Sequence, residues 1–209
     1  MTVSIILVTY NRRDLLMNRA IPSILAQTDP DWECHVVGDG TDQATVDAMS
    51  SLCVADGRFR FSNLPHTDYA AIYGGDTWGL IGLPCLNYGL DHATGDWISV
   101  LADDDAYTPD HNAVLIDAAI KRNVDFCYGI STAPWGQEWG AWPPGDGQIA
   151  NGSYVYRGAA REYRYDMDCR DKRGRTGDAD MWLRMYEGGV TFAFLPQRVH
   201  RYFPSQGQS

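Results

Sequence analysis

The first apolar run, Val3 to Val8, is continuous and rich in β-branched residues, which predicts a strand buried on both faces, as in a parallel sheet. Thr9-Tyr10-Asn11 ends it with polar groups. A helix is expected from Asn11 or Asp14, because Leu16, Ala20 and Ile24 recur at i, i+4 and i+8; Pro22 inside that pattern should kink it. Trp32 to Val37 predicts a second strand closed by Gly38-Asp39-Gly40, and Asp42 a cap for a helix through Leu52. Arg58 to Leu64 alternates as a third strand. Pro84 suits a first helical position, with Leu86, Leu90 and Ala93 down one face and Gly95 as the stop. Trp97 to Leu101 is a fourth strand that runs into Asp103-Asp104-Asp105. Asp110 opens a helix to Arg122, and Val124 to Ile130 gives a fifth strand.

Strands alternating with helices through short connections predict an α/β fold with one mainly parallel sheet. Ligands of such sheets bind beyond the carboxyl ends of the strands. Thr9-Tyr10, Asp39 and Asp103 to Asp105 all fall at those ends, so one crevice is expected to collect them. The second half differs. Ala133 to Gly152 is rich in Trp, Gly and Pro, and Ser153 to Arg157 reads as a strand. Arg170 to Arg175 is a basic loop, Asp178 to Glu187 a helix stopped by Gly188, and Thr191 to Leu195 a last strand followed by a polar tail with His200. With no internal repeat and no linker, residues 1–209 are expected to form a single domain.

Composition sharpens this picture. An apolar fraction of 44% in 209 residues provides a sizeable core and excludes disorder. A formal net charge of −10 disfavours a large nucleic acid or an anionic membrane as partner, although a small anionic ligand is compatible if a metal or a basic loop offsets the repulsion. The five Cys are scattered without metal-site spacing, which points to a reducing cytoplasm. No run of about 18 apolar residues and no basic-then-apolar leader occurs, so neither a membrane span nor a signal peptide is expected.

The polar clusters carry the candidate chemistry. Asp103-Asp104-Asp105 suits a hard divalent cation bound by one or two carboxylates plus phosphate oxygens, or else is a solvated turn. Asp39 suits the N–H groups of a base, with Thr9 and Tyr10 flanking it through a hydroxyl and a ring face; the alternative is a plain turn. Asp178 reads as an N-cap, and a carboxylate held there also suits a general base. His200 is either a structural His or a third metal ligand. The Arg170 to Arg175 run is either a solvated loop or a lid for a diphosphate. Trp135, Trp139 and Trp142 either pack a long loop or stack on a sugar.

Residues 4–12 (SIILVTYNR), 23–28 (SILAQT), 36–42 (VVGDGTD), 87–98 (NYGLDHATGDWI) and 101–110 (LADDDAYTPD), with the later 177–180 (GDAD), resemble family 2 glycosyltransferases of the GT-A fold, and are similar in style to the spore-coat polysaccharide enzymes. The resemblance implies transfer of a sugar from a UDP-, dTDP- or GDP-sugar to a glycan, protein or small-molecule hydroxyl, with inversion and with Mn²⁺ or Mg²⁺. It implies that residues 1–130 bind the nucleotide sugar and 131–209 the acceptor. Thr9, Tyr10, Arg12, Asp39, Asn87 and Asp103 would then hold the donor, Asp104, Asp105 and His200 the metal, and Asp178 would be the base. The chain departs from many relatives at Gly38, Ala102 and Cys85-Leu86, where acidic, acidic and basic residues are common. A non-catalytic nucleotide-sugar-binding module and a nucleotidyltransferase-like enzyme stand as alternatives. The latter is disfavoured by the absence of a Gly-rich loop after the first strand.

Overall fold

The computed structural model describes residues 1–74, 77, 79–145 and 147–203. Its strands are β1 Val3–Thr9, β2 Trp32–Asp39, β3 Phe59–Leu64, β4 Trp97–Ala102, β5 Ala106–Tyr107, β6 Phe126–Thr132, β7 Glu138–Trp139, β8 Tyr154–Arg157 and β9 Phe192–Arg201. The helices are α1 Arg13–Leu15, α2 Ile21–Leu25, α3 Gln43–Ala55, α4 Tyr69–Tyr73, α5 Leu83–His92, α6 His111–Arg122, α7 Cys169–Arg173 and α8 Gly177–Glu187, with a π-helical turn over Leu16–Ala20 and a 3₁₀ turn over Gly158–Glu162. Among the described residues the strands form one sheet in the order β3-β2-β1-β4-β8-β6-β9-β5, with β7 added to β6.

β1 is central and pairs in parallel with both β2 and β4. Its unbroken apolar run follows from that position. Val3, Ile5 and Leu7 pack on one face with Leu16, Ala20, Ile24, Leu115 and Ala119, whereas Ile6 packs on the other with Leu86, Leu90 and Val100. α5 lies so close to the sheet there that any side chain at Gly89 would collide with Ile6. Pro22 is accommodated, as expected, by an irregular helix. It cannot donate a backbone hydrogen bond, and the wider π turn just before it removes the register conflict that a regular helix would impose.

The sheet is parallel from β3 through β4 and mixed beyond. β6, the expected fifth strand, does not continue the parallel row: β8 intervenes, antiparallel to both β4 and β6. β9 pairs in parallel with β6 and extends to Arg201, much further than the apolar segment 191–195 predicts. Pro196, which reads as a strand end, lies where the pairing slips between Tyr128–Phe194 and Ile130–Arg198, so a bulge absorbs the proline and the strand resumes. His200 therefore belongs to a strand and is fully buried, not part of a polar tail.

The entry edge of the sheet is fastened by Glu33. Its Oε1 accepts hydrogen bonds from Ser4 Oγ (2.7 Å), Thr94 N (2.9 Å) and Thr94 Oγ1 (2.7 Å), and Gly95 N donates to Ser4 Oγ (2.7 Å). Gly95 is required because a Cβ there would lie 2.6 Å from Ser4 N and 2.7 Å from Thr2 O. Burial acts to raise the Glu33 pKa, but the bonds from Ser4 and Thr94 outweigh it and hold the carboxyl at about 2 instead of 4.5. A carboxyl with a depressed folded-state pKa stabilises the fold above its unfolded value and loses that contribution as pH falls through the folded one. Acid unfolding followed by circular dichroism should therefore lose on the order of 2–3 kcal/mol between pH 4.5 and about 2 through this group. Glu33→Gln should be less stable at neutral pH and flatter across that window.

Candidate active site

Three strand ends and one helix start meet at the carboxyl edge of the sheet. β4 ends in Ala102, and the turn Asp103-Asp104-Asp105 follows, with all three carboxylates buried. Burial without compensation would be costly. Thr9 Oγ1 donates to Asp103 Oδ2 at 2.8 Å and Tyr10 N to the same oxygen at 3.3 Å, which joins the ends of β1 and β4. Burial, followed by the neighbouring Asp104 charge, pushes Asp103 up to about 6 despite these bonds. Arg12 spans the turn, with Nη1 3.4 Å from Asp103 Oδ1 and 2.7 Å from Asp104 Oδ2. Arg19 donates to the Asp104 carbonyl at 2.6 Å, its guanidinium resting on the Phe203 ring. Asp105 accepts from Phe203 N at 2.8 Å, and His200 Nε2 lies 3.4 Å from its other oxygen.

At the end of β2, Asp39 is buried and accepts a bond from Thr67 N at 3.0 Å. The His66 ring lies parallel to Tyr10 at 4.7 Å, with Nδ1 3.1 Å from the Asp39 carbonyl. His66 was not singled out by the sequence. Its place just after a strand, at the same sheet edge as Tyr10 and Asp39, is the signal that marks it. Asn87 lies elsewhere: its amide pairs reciprocally with the backbone of Tyr165, Nδ2 to the carbonyl and Oδ1 from the amide, both at 2.9 Å. That pair ties α5 to the segment before α7.

α8 brings in the second half of the chain. Its cap is Thr176, not Asp178, which occupies the first turn, where Oδ1 accepts from Thr176 Oγ1 and Ala179 N, each at 2.8 Å. The helix start is pressed against the loop before α5: Gly177 N donates to Gly79 O at 2.8 Å, and a Cβ at Gly177 would meet Leu83. Asp180 is fully buried and receives Arg173 and Arg184, the latter at 2.8 Å. Arg173 also reaches Asp166, Lys172 reaches Asp166 and Asp168, and Arg175 reaches Glu187. Lys172, Arg173 and Arg175 are thus paired with carboxylates of the 166–187 segment rather than turned to the cavity as a diphosphate lid would require.

A cavity of about 400 Å³ lies between the end of β4 and the start of α8, lined by Arg12, Asp104, Asp105, Asn151, Asp178, Trp139 and Tyr202 among others; Thr9, Tyr10, Asp39 and Asp103 lie at the same sheet edge but do not line it. Trp139 and Trp135 both meet the Tyr202 ring edge-on, whereas Trp142 meets Tyr186 on α8. His200 does not line this cavity; it faces a second one with Thr132 and Arg198, its Nδ1 2.8 Å from Ser131 Oγ and its Nε2 buried without a hydrogen bond. Among the described residues no three His, Cys, Asp or Glu side chains group closely enough to enclose a metal. Asp104 and Asp105, side by side on the cavity wall, do fit a hard cation that takes one or two carboxylates and completes its shell with phosphate oxygens and water.

The family model described as glycosyl transferase family 2 matches residues 4–72 and 84–184. The chain is 30% identical over 127 residues to the UDP-Glc:alpha-D-GlcNAc-diphosphoundecaprenol beta-1,3-glucosyltransferase WfgD of Escherichia coli, covering 61% of this chain and 44% of that protein. It is 33% identical over 122 residues to protein CgeD of Bacillus subtilis (strain 168), covering 54% of this chain and 25% of that protein. The chain thus spans less than half the length of these relatives. Among solved structures it resembles S. aureus TarS 1–349 in complex with UDP-GlcNAc, with a TM-score of 0.76 at 14% identity over 100% of this chain and 60% of that one. The mannosyltransferase PcManGT from Pyrobaculum calidifontis, in complex with GDP-Man and Mn²⁺, gives 0.69 at 16% identity over 98% and 58%. These likenesses show the GT-A fold.

The two carboxylates of the 177–180 segment have separable roles that denaturant unfolding should resolve. Asp180→Ala removes the buried carboxylate shared by Arg173 and Arg184 and should cost about 3 kcal/mol. Asp178→Asn keeps an acceptor for Thr176 and Ala179 and should stay within about 1 kcal/mol of the parent.

Proposed function

The chain belongs to glycosyltransferase family 2, and on that footing we propose that it transfers a sugar from a nucleoside-diphosphate sugar to an acceptor hydroxyl with inversion at the anomeric carbon. The observation that carries this reading is the single cavity in which Asp104 and Asp105, from the end of β4, share walls with Asp178, from the start of α8. One wall suits a leaving diphosphate and the other an incoming hydroxyl.

In this reading Tyr10, Thr9 and Asp39 hold the nucleoside, with His66 backing the Tyr10 ring, and Asp103 lies toward the ribose. Asp104 and Asp105 would hold Mn²⁺ or Mg²⁺, which when bound supplies neutralisation of the diphosphate charge. Arg12 adds a second positive group at the same wall. Asp178 accepts the acceptor's proton while the acceptor oxygen forms its bond to the anomeric carbon and the bond from that carbon to the diphosphate oxygen breaks. Hydrogen bonds from Thr176 Oγ1 and Ala179 N to its Oδ1 help orient the Asp178 carboxylate for this work. His200 supports Asp105 from behind, outside the metal shell.

The donor is a UDP-, dTDP- or GDP-sugar; UDP-GlcNAc and GDP-Man are bound by the two structural neighbours named above. The aromatic side formed by Trp139 and Tyr202 favours a sugar ring as the acceptor surface, and so a glycan over a protein or another small molecule. Among the described residues no helix is long and apolar enough to cross a membrane, and all five thiols are free, which supports a cytoplasmic setting.

Melting curves with UDP, dTDP and GDP, each with and without Mn²⁺, should single out one nucleotide by its stabilisation. With the matching nucleotide sugar, Asp178→Asn should keep that stabilisation and lose transfer or donor hydrolysis by roughly 10²–10⁴-fold. Undiminished turnover in that variant would remove Asp178 as the base. Donor binding with no turnover in the parent protein would favour the non-catalytic module.

A further inference from the structure

The acidic turn already carries a cation. Asp103, Asp104 and Asp105 are each more than nine-tenths buried, and three adjacent carboxylates in that setting repel one another. Arg12 compensates them. Its guanidinium reaches Asp104 at 2.7 Å and Asp103 at 3.4 Å, and it lies on the cavity wall beside Asp105. Arg12 is placed to leave as well as to stay. It caps the start of α1 with φ −121° and ψ 42°; its backbone carbonyl accepts from Leu16 N at 3.0 Å, while its side chain is 42% exposed. The nearby Arg19 is fixed in a different task, on the Asp104 carbonyl and the Phe203 ring.

We propose that Arg12 is a resident counter-ion that competes with the divalent cation for Asp104 and hands that carboxylate over only when a diphosphate arrives to receive the guanidinium. The inference rests on the metal-assisted reading above. Its physical basis is charge balance. A divalent ion arriving alone must displace a cation that is already hydrogen-bonded to Asp104, and leaves Arg12 with only the longer contact to Asp103 at 3.4 Å. A divalent ion arriving with a nucleoside diphosphate brings oxygens that pair with the planar guanidinium in two-pronged fashion. Metal and nucleotide should therefore bind with positive coupling, and by linkage each should raise the other's affinity by the same factor. The turn would then remain compensated in every state, so an idle enzyme would neither expose an unpaired carboxylate cluster nor collect free metal.

The test is a titration of the intact chain with Mn²⁺ alone, with free Mn²⁺ read by its electron paramagnetic resonance signal. Arg12→Gln should bind Mn²⁺ without nucleotide more tightly than the parent, on the order of tenfold. Arg12→Met, neutral and of similar length, should show the same gain, so that one badly folded variant does not decide the matter. Arg12→Lys should stay near the parent. Adding Asp104→Asn should abolish the binding in each background. Binding in Arg12→Gln and Arg12→Met that is equal to or weaker than the parent's, yet still lost with Asp104→Asn, would overturn the counter-ion role and leave the metal site standing. Absence of Asp104-dependent Mn²⁺ binding in every protein, UDP or GDP included, would remove the metal reading and this inference with it.

Discussion

Two neighbouring parallel strands end side by side, and the hydrogen bond from Thr9 Oγ1 to Asp103 Oδ2, at 2.8 Å, is the join between them. β1 and β4 are in register to Val8 and Ala102, so the next residues must diverge into polar groups that face each other. Without donors from the β1 side, a buried carboxylate at the end of β4 would be destabilising by several kcal/mol. Thr9, the Tyr10 amide and Arg12 supply those donors in three nearly consecutive residues. The floor of the cavity is therefore set by the same contacts that make the acidic turn tolerable. Asp104 and Asp105 are presented beside Asp103 because Asp103 is held.

The opposite wall is built by different means. α8 is positioned by close backbone approach, where Gly177 and Gly79 leave no room for a side chain, and by the buried Asp180 with its two arginines. Two carboxylates two residues apart thus face in opposite senses: Asp180 inward as an anchor, Asp178 onto the cavity. The basic run before them serves that anchor. Lys172, Arg173 and Arg175 pair with carboxylates of the second half, and Arg12, from the first half, lies on the cavity wall.

The parallel half was legible in the sequence because strands buried on both faces leave an unmistakable apolar run, and because Asp42 caps its helix as its position suggests, accepting from Thr45 N at 2.8 Å. The rule for strand ends places Thr9, Asp39 and Asp103 to Asp105 at one sheet edge, of which Asp104 and Asp105 line the cavity. What stayed hidden depends on long-range pairing. β8 slides between β4 and β6 from fifty residues downstream, and a bulge at Pro196 lets β9 run on to bury His200. Asn87 reads as a donor ligand in its motif, but its two-sided amide matches the Tyr165 backbone. His66 follows β3 at the same sheet edge as Asp39, a positional signal that does not point to its partner; the stacked geometry with Tyr10 does.

In the proposed function a metal-bound diphosphate sits at Asp104 and Asp105, with Asp178 on another wall of the same cavity. Anomalous diffraction at the manganese edge, from crystals grown with Mn²⁺ and the stabilising nucleoside diphosphate, tests it most directly. One strong peak is expected within about 2.0–2.3 Å of an Asp104 or Asp105 oxygen and of the diphosphate, with Arg12 moved from Asp104 onto phosphate. A peak remote from both residues, or a nucleotide bound away from Tyr10 and Asp103, would contradict it.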